Sequence, residues 1–216
     1  MIHEVLALFA ATEVFIYVFM ELITQIESVR RVISQKAKWS DTIFFILFFG
    51  GFSIFGTYTG IVLPSGAISS IRDLGPLVAG LVAGPLVGLG AGLIGGIHRF
   101  LLGGFSCVPC GIATVLAGLI GGLVYLIAKK KLISIFHAML LAIGVELIHG
   151  LIVLLIAEPF DEALNATFTA VPAMMIADAM GIAICFIILQ RTVKEIKATQ
   201  AKNRGDTRAR PVTKLR

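Results

Sequence analysis

An all-α polytopic membrane protein is the fold class this sequence predicts, on three observations. Hydrophobic residues make up 57% of the 216 residues and charged residues 14%, with a mean hydropathy of +0.96, well to the apolar side of a soluble domain. Several windows hold about 20 apolar residues with few charges, enough to cross a hydrocarbon core of roughly 30 Å as helix. The cations, finally, come in clusters. Of 18 Lys and Arg, four lie in residues 30–38, three are Lys129, Lys130 and Lys131, and nine follow Leu189. Clustered loop cations are the positive-inside signal, so all three clusters are expected on the cytoplasmic side. The net charge of +5 is then a topology signal and not a nucleic-acid footprint. Three cysteines do not support a disulfide framework.

Each element follows in order. A first span over residues 5–23 carries Glu13 deep and Glu21 near its inner end. Its start, Met-Ile-His-Glu, has no basic n-region and is expected not to be a cleavable signal peptide. The basic residues 30–38 place the end of this span inside and Met1 outside. A second span over 42–61 returns outward, with Gly50-Gly51 and Gly56 allowing close neighbours, and residues 63–70 form a turn-rich connector. The glycine-rich stretch that follows is read as a broken hairpin: 72–83 descends, Gly84-Pro85 turns, and 86–102 climbs back. As a single long span it would leave Lys129–Lys131 outside, against the charge rule. A fifth segment over 110–128 delivers those lysines to the cytoplasm. A sixth covers 132–157, the acidic run Glu158-Pro159-Phe160-Asp161-Glu162 ends it outside, and a seventh covers 166–189. That makes six to seven membrane helices in one domain, residues 1–190. The basic tail 191–216 is expected to be helical to about Lys202, then polar and unfolded.

Two arginines break the apolar pattern and carry the functional reading. An arginine at membrane depth costs roughly 2.5–3.5 kcal/mol on insertion scales and marks a site. Arg72 lies about 12 residues before the Gly84-Pro85 turn and Arg99 about 14 after it, which puts both at nearly the same depth by helical rise. Cys110 opens the next helix at that level. Guanidinium matches a carboxylate bidentately and stays charged when desolvated, so the constellation predicts an anion pocket. The competing reading pairs each arginine with a buried acid, Asp178 or Glu146, or lets it snorkel to the interface. Glu146 and His149, three apart, share a helix face and read as a hydrogen-bonded pair; with Glu13 and Asp178 they form a buried polar set. Cys107-Val-Pro-Cys110 lacks both the βαβ context of a redox pair and the further ligands of a zinc site. No metal or cofactor is expected. The ridges Gly88-x3-Gly92-x3-Gly96 and Gly118-x3-Gly122 allow close backbone approach.

The ordered motifs R-D-L-G-P, G-x-x-A-G-P-L-V-G, G-G-I-H-R-F, G-G-F, C-x-x-x-T, E-L-I-H and M-M-I-A-D-A-M-G, spread over residues 5–189, resemble the LytS-type transmembrane receptor domain of bacterial sensor histidine kinases. The resemblance implies a fold like the substrate-binding subunits of energy-coupling-factor transporters, a multi-pass location in the bacterial cytoplasmic membrane, and sensing of small carboxylates such as pyruvate. It implies ligand contacts at Arg72, Arg99 and Cys110, and Thr114, Ser70 and His98 are expected to bind the ligand with them. Three positions depart from the family pattern: Ser70 stands for an asparagine, Ala113 for a serine and Asp178 for an asparagine, and Thr114 supplies the missing hydroxyl. No kinase or cyclase is expected within the chain, so it is read as a non-enzymatic receptor. Its partners would be a small anionic metabolite, the bilayer, a separate cytoplasmic kinase or other output protein, and a second copy, with no nucleic acid. The alternative is a stand-alone transporter of a small carboxylate.

Overall fold

The computed structural model describes the backbone of residues 2–63 and 66–209, with side chains over 10–63 and 66–202. Eight helices run in the order α1 (Ile2–Ile23), α2 (Glu27–Ile33), α3 (Trp39–Tyr58), α4 (Leu74–Ala83), α5 (Pro85–Leu101), α6 (Cys107–Ile127), α7 (Ile135–Ile156) and α8 (Phe160–Ala209). Among the described residues, α3, α6, α7 and the Phe160–Lys202 part of α8 are long and apolar enough to cross a membrane, while α4 and α5 are shorter apolar helices. The chain is an all-α multi-pass membrane protein.

The basic stretch 30–38 is not all loop. Arg31 donates from Nε and Nη2 to the Asp41 carboxylate at 2.8 and 2.6 Å and pairs with Glu27 one turn back at 2.7 Å, so part of it winds into α2. Asp41's hydrogen bonds push the Arg31 guanidinium pKa up. Residues 61–69, apart from 64 and 65 that lie outside the described residues, close a small antiparallel ribbon. Ile61 faces Ser69 and Val62 faces Ile68. The last residues of the expected polar tail, 210–216, also fall outside the description.

The centre of the molecule is α4. Leu74 to Val82 are all buried, and the helix packs against α3, α5, α6 and α8. Ten residues rise only about 15 Å, half a bilayer, a length tolerated at membrane depth because the helix is enclosed by protein. It ends at Gly84, whose φ of +93° is a conformation glycine adopts without a Cβ penalty. Pro85 then starts α5. The α5–α6 contact is backbone on backbone: a Cβ on Gly88 or Gly118 would collide with the other's backbone, and one on Gly96 would sit 2.6 Å from the Gly111 carbonyl oxygen. A Cβ on Gly84 would touch the Tyr125 ring at 3.2 Å, so the end of α6 lies at the turn of the hairpin. Arg72 and Arg99 are therefore at one end of the bundle, and Lys129–Lys131 at the other.

Candidate functional site

The open end of the α4–α5 hairpin gathers the polar side chains. Arg72 and Asp73 precede α4, Arg99 lies in the last turn of α5, Cys110 and Thr114 lie in the first two turns of α6, Glu146 and His149 share a face of α7, and Asp178 lies on α8. Arg72, Asp73, Thr114 and Glu146 are fully buried, and Arg99 and Asp178 are 1% exposed. Gly56 of α3 lets the segment approach: a Cβ there would lie 3.2 Å from the Arg72 backbone. Ser53 donates its hydroxyl to the Arg72 carbonyl at 2.9 Å.

Thr114 is the hub. Its hydroxyl accepts from Arg72 Nε at 2.7 Å, and its own proton goes either to Asp73 Oδ1 at 2.6 Å or to the Cys110 carbonyl at 2.9 Å. Asp73 Oδ1 stands 3.5 Å from Arg72 Nε. Its other oxygen lies 2.9 Å from His149 Nδ1. His149 Nδ1 is also 3.4 Å from Glu146 Oε2, and its Nε2 is 3.3 Å from the Cys110 thiol. Asp178 sits beside Glu146. The ligand atoms of Asp73, Glu146 and His149 lie within 4.8 Å of one another, a spacing that would admit a small cation. As they stand, Asp73 and His149 are engaged with each other.

Arg99 differs from Arg72. It donates from Nη1 to the Gly103 carbonyl at 2.7 Å and from Nη2 to Ser106 Oγ at 3.1 Å, with no carboxylate partner among the described residues. Arg99 Nε and Arg72 Nη2 are buried without a hydrogen-bond partner. The two guanidiniums and the Cys110 thiol are within electrostatic reach of one another. Beside them a hollow of about 20 Å³ is lined by Ser106, Cys110, His149 and Thr167, room for about one water.

A family model described as "5TMR of 5TMR-LYT" matches residues 26–192. The chain belongs to this family of LytS-type transmembrane receptor domains. It is 34% identical to the sensor histidine kinase BtsS of Escherichia coli over 65% of the chain and 26% of that protein. It is 28% identical to the sensor protein LytS of Bacillus cereus over 83% and 33%, and 29% identical to LytS of Bacillus subtilis over 80% and 32%. The chain thus spans about a quarter to a third of the length of these curated relatives. No solved structure matches it.

Within this LytS-type module the structure brings Arg72, Cys110, Thr114, Glu146, His149 and Asp178 into one polar core, with Arg99 at its edge. Ser70 joins through a long 3.4 Å contact from Arg72 Nη1. His98 is half-buried and turns Nε2 to the Tyr58 hydroxyl at 3.3 Å, while its Nδ1 is buried without a partner. Glu13 lies apart, near Gly181 and in a crevice of about 40 Å³ with Ser70 and Met174; both its oxygens lack partners. The residue that sequence reasoning passed over is Asp73. It stands in the quoted R-D-L-G-P motif, next to the arginine that drew the attention. Ser106, the side-chain partner of Arg99, gave no signal at all.

Proposed function

We propose that this chain is a receptor module that binds a small carboxylate such as pyruvate between Arg72 and Arg99, near the outer face of the bacterial cytoplasmic membrane. The observation that carries the reading is Arg99. A buried charge without a counter-charge costs several kcal/mol, and Arg99 has a carbonyl, a hydroxyl and the neighbouring Cys110 thiol but no carboxylate among the described residues. A carboxylate reaching Arg99 Nε and Arg72 Nη2, the two unpartnered nitrogens, would cancel that charge. Cys110, Thr114, Ser70 and His98 would shape the rest of the site, and Glu13, Glu146, His149 and Asp178 would form the polar support behind it.

The hollow at Cys110 is too small for a metabolite, so entry requires the loops at this end to open. A ligand that prefers one arrangement of α4, α5 and α6 shifts the equilibrium toward it, and α8 passes the shift beyond the bilayer. In this reading six to seven segments cross or enter the membrane, as in energy-coupling-factor substrate-binding subunits. The N-terminus is outside and the basic tail 191–216 is cytoplasmic, meeting a kinase or other output protein, with a homodimer as the working unit. A second reading, transport, draws on Glu13, whose buried oxygens lack partners, and on the adjacent buried acids Glu146 and Asp178, which suit proton carriage. Labelled pyruvate flux into proteoliposomes separates the two.

The test is ligand-dependent thermal stabilisation of the purified chain in detergent. Arg99→Ala is expected to fold, because Arg99 holds no acid in place, and to lose stabilisation by pyruvate. Stabilisation equal to that of the unsubstituted protein would contradict the proposal.

A further inference from the structure

At the end of the bundle opposite the arginines, a cleft of about 480 Å³ opens between the end of α2, the α6–α7 turn and α8. Its size falls in the range of small-ligand sites. Lys130 and Lys131 approach from the turn, Lys194 and Lys197 from α8, with Gln35 and Tyr125 between them, and no carboxylate is among its lining residues. A second hollow of about 230 Å³ shares Ile33, Gln35 and Lys197 and reaches Lys36.

The positive-inside rule accounts for cations at this end but not for how they are paired. The arginines here have acids: Arg30 with Glu195 at 3.7 Å, Arg31 with Asp41 at 2.6 Å, and Arg191 with Glu21 at 3.2 Å. The four cleft lysines have no ion pair among the described residues, and they converge on one concavity. Its rim is also strained. Gln35, Lys129 and Lys130 have φ of 57°, 53° and 61°, the left-handed region where side chains other than glycine's are disfavoured and which recurs at ligand clamps. Gln35 Nε2 donates to the Lys130 carbonyl at 2.6 Å and ties the two rims together. Glycine would relax these turns but would remove the cation and the amide.

We infer that this cleft binds a phosphate-bearing anion, and that the bound anion clamps the α6–α7 turn to the extension of α8. Ammonium groups bind phosphate as movable point charges, and four of them lining one concavity without a carboxylate leave its positive charge open to such an anion. The phosphate has two possible sources. A soluble phosphate can enter from the aqueous side. A phospholipid headgroup can arrive along the lipid-facing end of α6, where Leu126 is 48% and Ile127 79% exposed immediately before Lys129.

The experiment measures thermal stabilisation of the full chain in neutral detergent against inorganic phosphate, dioctanoyl phosphatidic acid and dioctanoyl phosphatidylcholine. Lys194→Gln/Lys197→Gln and Lys130→Gln/Lys131→Gln empty the cleft. Lys38→Gln/Lys202→Gln removes the same charge outside its lining. All six are surface positions, where substitution usually leaves folding within about 0.5 kcal/mol. The expected result is stabilisation by phosphatidic acid alone, which identifies a headgroup site, by phosphate alone, which identifies a soluble anion, or by both, which shows a cleft open to either. The half-saturating concentration should rise about tenfold, equivalent to about 1.4 kcal/mol, in either cleft variant and not in the control. Stabilisation by neither anion, or an equal loss in cleft and control variants, overturns the inference.

Discussion

Asp73 and Thr114 show how a polar core survives inside an apolar bundle. Every unpaired polar group there costs the desolvation of its missing partner, and the Thr114 hydroxyl can accept from Arg72 Nε while donating to Asp73 Oδ1. Thr114→Val should therefore lower unfolding stability by about 1–3 kcal/mol, and Thr114→Ser should restore most of it, both read from thermal unfolding in detergent. Asp73→Ala removes the acid that faces Arg72 and His149. It should cost about 3–5 kcal/mol, the range for breaking a buried pair from one side. At this scale the sequence was legible where a charge stood alone in apolar surroundings, as Arg99 does. It was opaque at Asp73, whose neighbouring arginine made the two look like one motif. Glu13 was grouped with Glu146 only because both are deep acids; periodicity along one helix says nothing about which neighbour that helix will face.

The helical hairpin is the element that places the arginines. Counting residues on either side of Gly84-Pro85 was enough to set them at one depth, because helical rise is fixed and only glycine-rich faces let α4, α5 and α6 close up. Gly118→Val should destabilise by about 1–3 kcal/mol or more, the range for forcing atoms into a packed core, because the atoms it meets are the Gly88 backbone. Gly51→Ala, which meets nothing, serves as the control, and unfolding midpoints of the two compare directly. The short α2 was hidden from sequence reading. Its seven residues include two arginines, a glutamate and no long pattern, and they are held by Arg31 reaching Asp41 ten positions away, a tertiary contact that no local pattern encodes.

For the molecule as a whole, the charge clusters and the arginines mark opposite ends, and this polarity is what a receptor spanning a membrane requires. Impermeant thiol labelling in whole cells, on a background without the native cysteines, should modify Gly104→Cys from outside and spare Ser134→Cys. The reverse pattern would invert the topology. The polytopic class was legible from composition, whereas the number of spans was less so, since α4 and α5 are too short to be counted by length alone. The central claim is that the unmatched charge of Arg99 awaits a carboxylate, and equilibrium binding of labelled pyruvate to the purified chain tests it most directly. Saturable binding that falls at least about tenfold in Arg99→Ala, while Arg191→Ala at the far end binds as before, is the predicted result; equal binding by both variants, or none by the unsubstituted protein, would contradict it.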